Sequence, residues 1–256
     1  MLLRRRLWSK VRFLVRTCKD GQKLYRSNTM RAAYLSQDRV DIAETVKCLS
    51  RAMAAPREEH LAQLKRLVRY LKGRPRCVIR YERQDARSAR LRVHTDSDWA
   101  GEAVTRRSTS GMVIRRGSHL IRHSSTLQTS IGLSSAEAEY YAMTKGAACA
   151  LGSQSMLRDW KIEVSIELFC DSSSARSFAK RRGLGKQRHI DTRYLWLQER
   201  VALKHLKVLS VRTDDNPADL FTKALSRQVM DHHCRELLQF QKAEEYRLDG
   251  DEPNDE

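Results

Sequence analysis

Four acidic residues hold the chemistry this chain is equipped to do. They are Asp96 in His94-Thr95-Asp96-Ser97-Asp98, Glu139 in Ala136-Glu137-Ala138-Glu139-Tyr140, Asp171 after a strand-like run, and Asp219 in Asn216-Pro217-Ala218-Asp219. The whole chain has a formal net charge of +18. A carboxylate at the end of a core element, or on its apolar face, must be compensated, because an unpaired buried charge is expensive. A divalent metal would compensate all four. An acidic metal pocket in a basic protein points to phosphate chemistry on nucleic acid.

The elements that must position these acids are legible as periodicity. Leu91, Val93 and Thr95 alternate toward Asp96, and the runs Gly111 to Arg116 and Ser118 to His123 flank Gly117 as a hairpin, giving three antiparallel strands. A helix starts at Ser134, where Ser134 and Glu137 form a capping-box pattern, and runs through Ala150. Glu139 shares a face of that helix with Ala142, Met143, Gly146 and Ala150, whereas capping accounts for Glu137. Val164, Ile166, Leu168 and Cys170 alternate into Asp171, and a helical stretch follows from Ala175 to Lys180. A basic loop with Lys180, Arg181, Arg182, Lys186, Arg188 and His189 comes next. A helix near Thr192 to His205, a strand from Leu206 to Val211 and a turn at Asn216-Pro217 lead to Asp219 in the first turn of another helix. Singly, Asp171 reads as an N-cap and Asp219 as a partner of the helix dipole. Together, three acids lie beside strand ends and the fourth on a helix that can pack across the same sheet.

The 256 residues allow one or two domains, and 41% hydrophobic residues suffice for a core. The charge predicts nucleic acid as partner ahead of an anionic membrane. Six cysteines without a CxxC pair read as reduced thiols inside a cell, and no hydrophobic run is long enough to cross a bilayer. The first 31 residues hold ten Lys and Arg against the single acid Asp20, a basic arm. It reads as the start of an open reading frame, a nucleic-acid tether or an organelle transit peptide. Between Arg39 and Leu71 two helical stripes, Ile42, Val46, Leu49, Met53 and then Leu61, Leu64, Val68, Leu71, flank Pro56 as a helical hairpin.

Five motifs then carry a resemblance: Thr95-Asp96-Ser97-Asp98-Trp99-Ala100-Gly101, Thr105-Arg106-Arg107-Ser108-Thr109-Ser110-Gly111, Ser134-Ser135-Ala136-Glu137-Ala138-Glu139-Tyr140, Lys186-Gln187-Arg188-His189-Ile190-Asp191-Thr192-Arg193-Tyr194 and Pro217-Ala218-Asp219-Leu220-Phe221-Thr222-Lys223. In this order they resemble the ribonuclease H domain of copia-type retrotransposon Pol polyproteins. The stretch from Tyr34 to Gly73 is similar to the thumb and connection region of the same polyproteins. The resemblance covers about residues 22 to 240. It implies an α/β, RNase H-like five-stranded mixed sheet flanked by helices and preceded by the small helical hairpin. It divides the chain into a basic arm (1–21), a thumb/connection-like segment (22–76), an RNase H-like domain (77–225), a C-terminal helix (226–242) and an acidic disordered tail (243–256). The implied activity is cleavage of the RNA strand of RNA–DNA hybrids, with Asp96, Glu139, Asp171 and Asp219 as catalytic, metal-binding residues. Two Mg²⁺ ions about 4 Å apart, or Mn²⁺ in their place, are the implied cofactors. Lys180, Arg181, Arg182, Lys186, Arg188 and His189 are the expected phosphate contacts, with Ser97 and Ser172 as orienting groups.

Departures set the alternative. No Tyr-x-Asp-Asp motif occurs, so the polymerase palm is missing and DNA synthesis is not expected; the polymerase part of a Pol polyprotein would be a partner. No histidine lies between Leu206 and Asp219, where cellular ribonucleases H usually have one. The competing reading is a non-catalytic nucleic-acid-binding remnant. An intracellular location, cytoplasmic or nuclear, is expected, with a transit peptide as the variant.

Overall fold

The computed structural model describes residues 18–81, 83, 90–185, 187–237, 239 and 240. The arm up to residue 17, Lys186 and the tail from 243 lie outside the described residues. The chain divides into two compact units between Pro75 and Arg76.

The first unit contains helices α1 (Cys18–Leu35), α2 (Ala43–Arg51) and α3 (Glu58–Gly73), with a 3-10 turn at Val40–Ile42. Pro56 separates α2 from α3, as its missing N–H requires of a residue outside helix interiors. The expected hairpin is present, but α1 joins it as a third helix. Tyr25, Thr29 and Ala32 are buried at helical spacing, and the Tyr25 hydroxyl donates to Leu49 O at 2.7 Å. Exposed Arg26 and Arg31 on the outer face made this stripe read as part of a charged arm. Tyr25, Ile42, Val46, Leu49, Leu64 and Leu67 form the core. The buried Arg39 is satisfied by Asp41 and by Arg74 O, at 3.0 Å from Nη1.

The second unit is built on a five-stranded sheet. Its strands are β2 (Arg90–Asp98), β3 (Thr109–Arg116), β4 (His119–Leu127), β5 (Ser165–Cys170) and β6 (Lys207–Ser210), in the order β4-β3-β2-β5-β6. The β2–β3 and β3–β4 pairs are antiparallel, whereas β2–β5 and β5–β6 are parallel. A separate pair of two-residue strands, β1 (Val78–Ile79) and β7 (Gln239–Phe240), lies outside this sheet. The expected mixed sheet is therefore observed, with Asp96 near the end of its central strand.

Helix α4 (Ser135–Asp159) packs on one face, running nine residues past the expected end. Ala138, Ala142, Met143, Gly146, Ala147 and Ala150 are buried along it. A Cβ on Gly146 would come within 2.5 Å of Thr95 Cγ2, so glycine sets the helix-to-sheet distance. Helices α5 (Ser173–Lys180) and α6 (Trp196–Ala202) complete this layer around Phe178 and Leu197. The other face carries His94 stacked on Phe169 at 4.8 Å and His123 stacked on Phe221 at 5.1 Å. It is closed by the 3-10 segment Pro217–Phe221, after which comes α7 (Arg227–Glu236). The helix expected over 226–242 is thus shorter, because Gln239 and Phe240 pair with β1. No helix among the described residues is long and apolar enough to cross a membrane.

Gly111 pairs with Asp96 across β2 and β3, directly under the segment that carries Asp219. A Cβ there would meet Ala218 O at 2.6 Å and Thr222 Cγ2 at 2.7 Å. Gly111→Ala should therefore lower stability by about 1–3 kcal/mol through overpacking. Urea unfolding checks this; an unchanged midpoint would mean that the 217–222 segment is free to lift away.

Candidate active site

Parallel pairing of β2 with β5 brings two acids to one sheet edge. The register that sets His94 opposite Phe169 places Asp96 and Asp171 each two residues further along their strands. Asp96 is buried, at 4% exposure, and its Oδ2 accepts the Thr222 hydroxyl. Asp171 is half-buried and accepts from Thr213 Oγ1 at 3.0 Å. It does not cap α5: Ser172 does, its Oγ accepting from Ala175 N at 3.2 Å. The capping explanation for Asp171 therefore falls.

Glu139 reaches the same edge from α4. Ser97 N donates to its Oε1 at 3.0 Å and Cys170 Sγ lies 3.7 Å from Oε2. Ser97 thus engages the cluster through its backbone, while its hydroxyl lies 3.3 Å from Gln128 Nε2. Asp219 arrives in a 3-10 turn rather than the expected α-helix. Asn216 pins that turn, its Nδ2 donating to Thr95 O at 3.0 Å and its Oδ1 accepting from Ala218 N at 3.3 Å. Lys223 Nζ lies 2.8 Å from Asp219 Oδ2 and 3.9 Å from Asp96 Oδ2. Asp219 Oδ1 is buried with no hydrogen-bond partner.

The four acids feel one another. Burial, reinforced by the charges of Asp96 and Asp171, pushes the Glu139 carboxyl up to about 9. Burial and the neighbouring Asp96 push Asp219 up to about 6, against the opposing pull of Lys223. The structure therefore brings Asp96, Glu139, Asp171 and Asp219 into one cluster that tends to retain a proton. Ligand atoms of Glu139, Cys170 and Asp171 all lie within 4.8 Å of one another. Burial and the adjacent Glu139 raise the Cys170 thiol, keeping it protonated as a donor toward Glu139. That leaves an oxygen-only set with one orphaned buried oxygen, which fits a hard divalent cation.

Sequence reasoning missed Asn216, Thr222, Lys223 and Thr213 as members of this site. Only the Asn-Pro turn signal and the Thr-Lys pair close behind Asp219 hinted at them. The basic loop is partly tied down. Arg181 stacks over Phe178 at 4.3 Å and donates to Leu184 O at 2.7 Å, so it is engaged locally. Lys180, Arg182 and Arg188 are exposed, His189 contacts Glu137, and Lys186 lies outside the described residues.

A mixed sheet in this order, with carboxylates from its central parallel strands, a crossing helix and a following turn, defines the RNase H-like class that the motifs implied. No family model matches the chain. Its homologues include retrovirus-related Pol polyproteins of copia-type transposons. The chain is 33% identical over 202 residues to the Pol polyprotein from transposon TNT 1-94 of Nicotiana tabacum, covering 78% of this chain and 15% of that one. It is 32% identical over 216 residues to that from transposon RE1 of Arabidopsis thaliana, covering 83% and 15%. The chain thus spans about 15% of the length of these relatives. Among solved structures, LC11-RNase H1, isolated from compost, is similar at 16% identity and a TM-score of 0.37, over 56% of this chain and 97% of that one.

Proposed function

We propose that the chain is a metal-dependent endonuclease of the ribonuclease H type, acting on the RNA strand of RNA–DNA hybrids as part of a retrotransposon Pol polyprotein. The observation that carries this reading is the clustering of four mutually repelling carboxylates, with an orphaned buried oxygen on Asp219, in a chain of net charge +18. Asp96, Glu139, Asp171 and Asp219 would hold two Mg²⁺ ions, or Mn²⁺. When bound, such ions activate water and stabilise the leaving oxygen of a phosphodiester. The protein's own part is to fix these acids: Ser97 N orients Glu139, Thr222 orients Asp96, Thr213 orients Asp171, and Asn216 sets the turn of Asp219. Exposed Arg182 and Arg188, with Lys180, supply cations for the substrate backbone. Recognition through backbone and 2′-hydroxyls gives little sequence preference. The polymerase part of the polyprotein is the proposed partner, and the location is intracellular.

The test is release of cut RNA from a labelled hybrid with Mg²⁺ and with EDTA. Asp171→Asn should abolish cleavage while hybrid binding is kept or improved, since a repelling charge is removed. Wild-type protein that binds hybrid yet cuts nothing with Mg²⁺ or Mn²⁺ would instead be a binding remnant.

A further inference from the structure

Glu137 stands two residues before Glu139 in the first turn of α4 and is 3% exposed. Its Oε2 accepts from Leu133 N at 2.9 Å and lies 2.8 Å from His189 Nε2, and its Oε1 accepts the Tyr141 hydroxyl. Ser134 already caps the helix through Glu137 N, so the Glu137 side chain is not needed for that task. A buried carboxyl group held from three sides is fixed in place. The partner it faces is not buried: the His189 side chain is 43% exposed. With Nε2 committed to Glu137, Nδ1 is the nitrogen left for an outside partner.

The segment around His189 is fastened to the same helix. Ile190 is 3% exposed in the core, and Tyr194 O accepts the Tyr140 hydroxyl at 2.6 Å. The Tyr194 ring lies 4.1 Å from that of Tyr141. The imidazole is therefore held in advance of any ligand, and exposed Arg182 and Arg188 lie on the same loop. Residues two apart on a helix point about 200° apart. Glu137 and Glu139 thus serve different sides of one turn, and an anion at His189 would lie beside the carboxylate cluster, not within it.

We propose that Glu137 and His189 form a phosphodiester-binding pair, in which His189 contacts a nucleic-acid backbone phosphate through Nδ1–H and Glu137 is the positioning residue that holds the imidazole. This rests on the nucleic-acid substrate proposed above. With Glu137 on one side of the imidazole, a phosphate oxygen on the other completes its hydrogen bonding. The titratable and charged groups around it are Glu137 and Tyr141 from α4, Arg188, Asp191 and Arg193 from its own segment, and Tyr194.

The experiment is fluorescence anisotropy of a labelled RNA–DNA hybrid with the full chain in EDTA, so that binding is read without cleavage. At about pH 6, His189→Ala should weaken binding about five- to tenfold and reduce the slope of log K against log salt by about one. Glu137→Gln keeps the shape of the contact and should give a smaller loss. His189→Gln replaces His189→Ala if the latter fails to melt cooperatively. Unchanged affinity and slope in folded variants would overturn the pair while leaving the nucleic-acid reading intact. A loss of affinity with an unchanged slope would make His189 a structural strap and overturn it too. Failure of wild-type protein to bind hybrid at all would overturn both.

Discussion

Glu139→Gln is expected to remove Mg²⁺-dependent hybrid cleavage, by about a thousandfold or more, and at the same time to stabilise the metal-free protein. The first effect follows from losing a charged metal ligand: each ~1.4 kcal/mol of lost transition-state stabilisation is a factor of ten in rate, and a metal ion's electrostatic contribution is several such units. The second follows from linkage. The Glu139 carboxyl is raised from 4.5 to about 9 by burial and by Asp96 and Asp171. Between those values the unfolded chain releases the proton while the folded chain keeps it, so stability falls as pH rises. By about pH 7 the loss amounts to roughly 3 kcal/mol. Glutamine ionises in neither state and escapes it. Urea unfolding in EDTA should therefore show wild type and variant nearly equal near pH 4.5 and diverging above it. Parallel stability curves would mean that Glu139 is ionised in the folded protein and that the cluster is more open to water than it looks.

How far the site could be read from sequence depended on whether a contact is local. Asp96 and Asp171 were legible at the ends of strands whose period is visible, Glu139 by the helix face it shares with small residues, and all four, Asp219 included, because flanking motifs fixed their order. Their supporting groups were not. Nothing within the sequence around Thr222 says that its hydroxyl meets Asp96, a residue 126 positions away. Asn216 read as a turn former and nothing more, yet the bond to Thr95 O depends on where that turn lands on the sheet. The N-cap at residues 171 and 172 shows a finer limit. Asp171 and Ser172 are both good caps, and only the strand's length decides that serine takes the task and leaves the carboxylate free. The first helix was hidden for the opposite reason. Its buried residues, Tyr25, Thr29 and Ala32, are too few and too polar to stand out against the Lys and Arg of its exposed face. Glu137 was assigned to capping by local pattern, and the His189 contact that gives it a further use spans 52 positions.

Lys223→Met should have opposite effects in the absence and presence of metal. Lys223 Nζ, 2.8 Å from Asp219 Oδ2 and 3.9 Å from Asp96 Oδ2, is the cation that neutralises these two acids within the chain itself. Removing one partner of a buried ion pair costs about 3–5 kcal/mol. The Lys223 side chain is 42% exposed, and solvent screening brings the expected loss in EDTA down to about 1–2 kcal/mol. Lys223 also pulls Asp219 down against burial, so without it the Asp219 carboxyl will hold its proton to a still higher pH than about 6. With Mg²⁺ present the balance changes. A divalent ion at the same oxygens no longer meets a competing ammonium, and binding to the folded state alone stabilises it in proportion to its affinity. The variant should therefore start from a lower Tm in EDTA and gain more from saturating Mg²⁺ than wild type does. Thermal melts at several Mg²⁺ concentrations read both quantities. An equal or smaller Mg²⁺ gain in the variant would show that Lys223 assists the metal instead of standing in for it, and that the ions sit nearer Glu139 and Asp171 than Asp219.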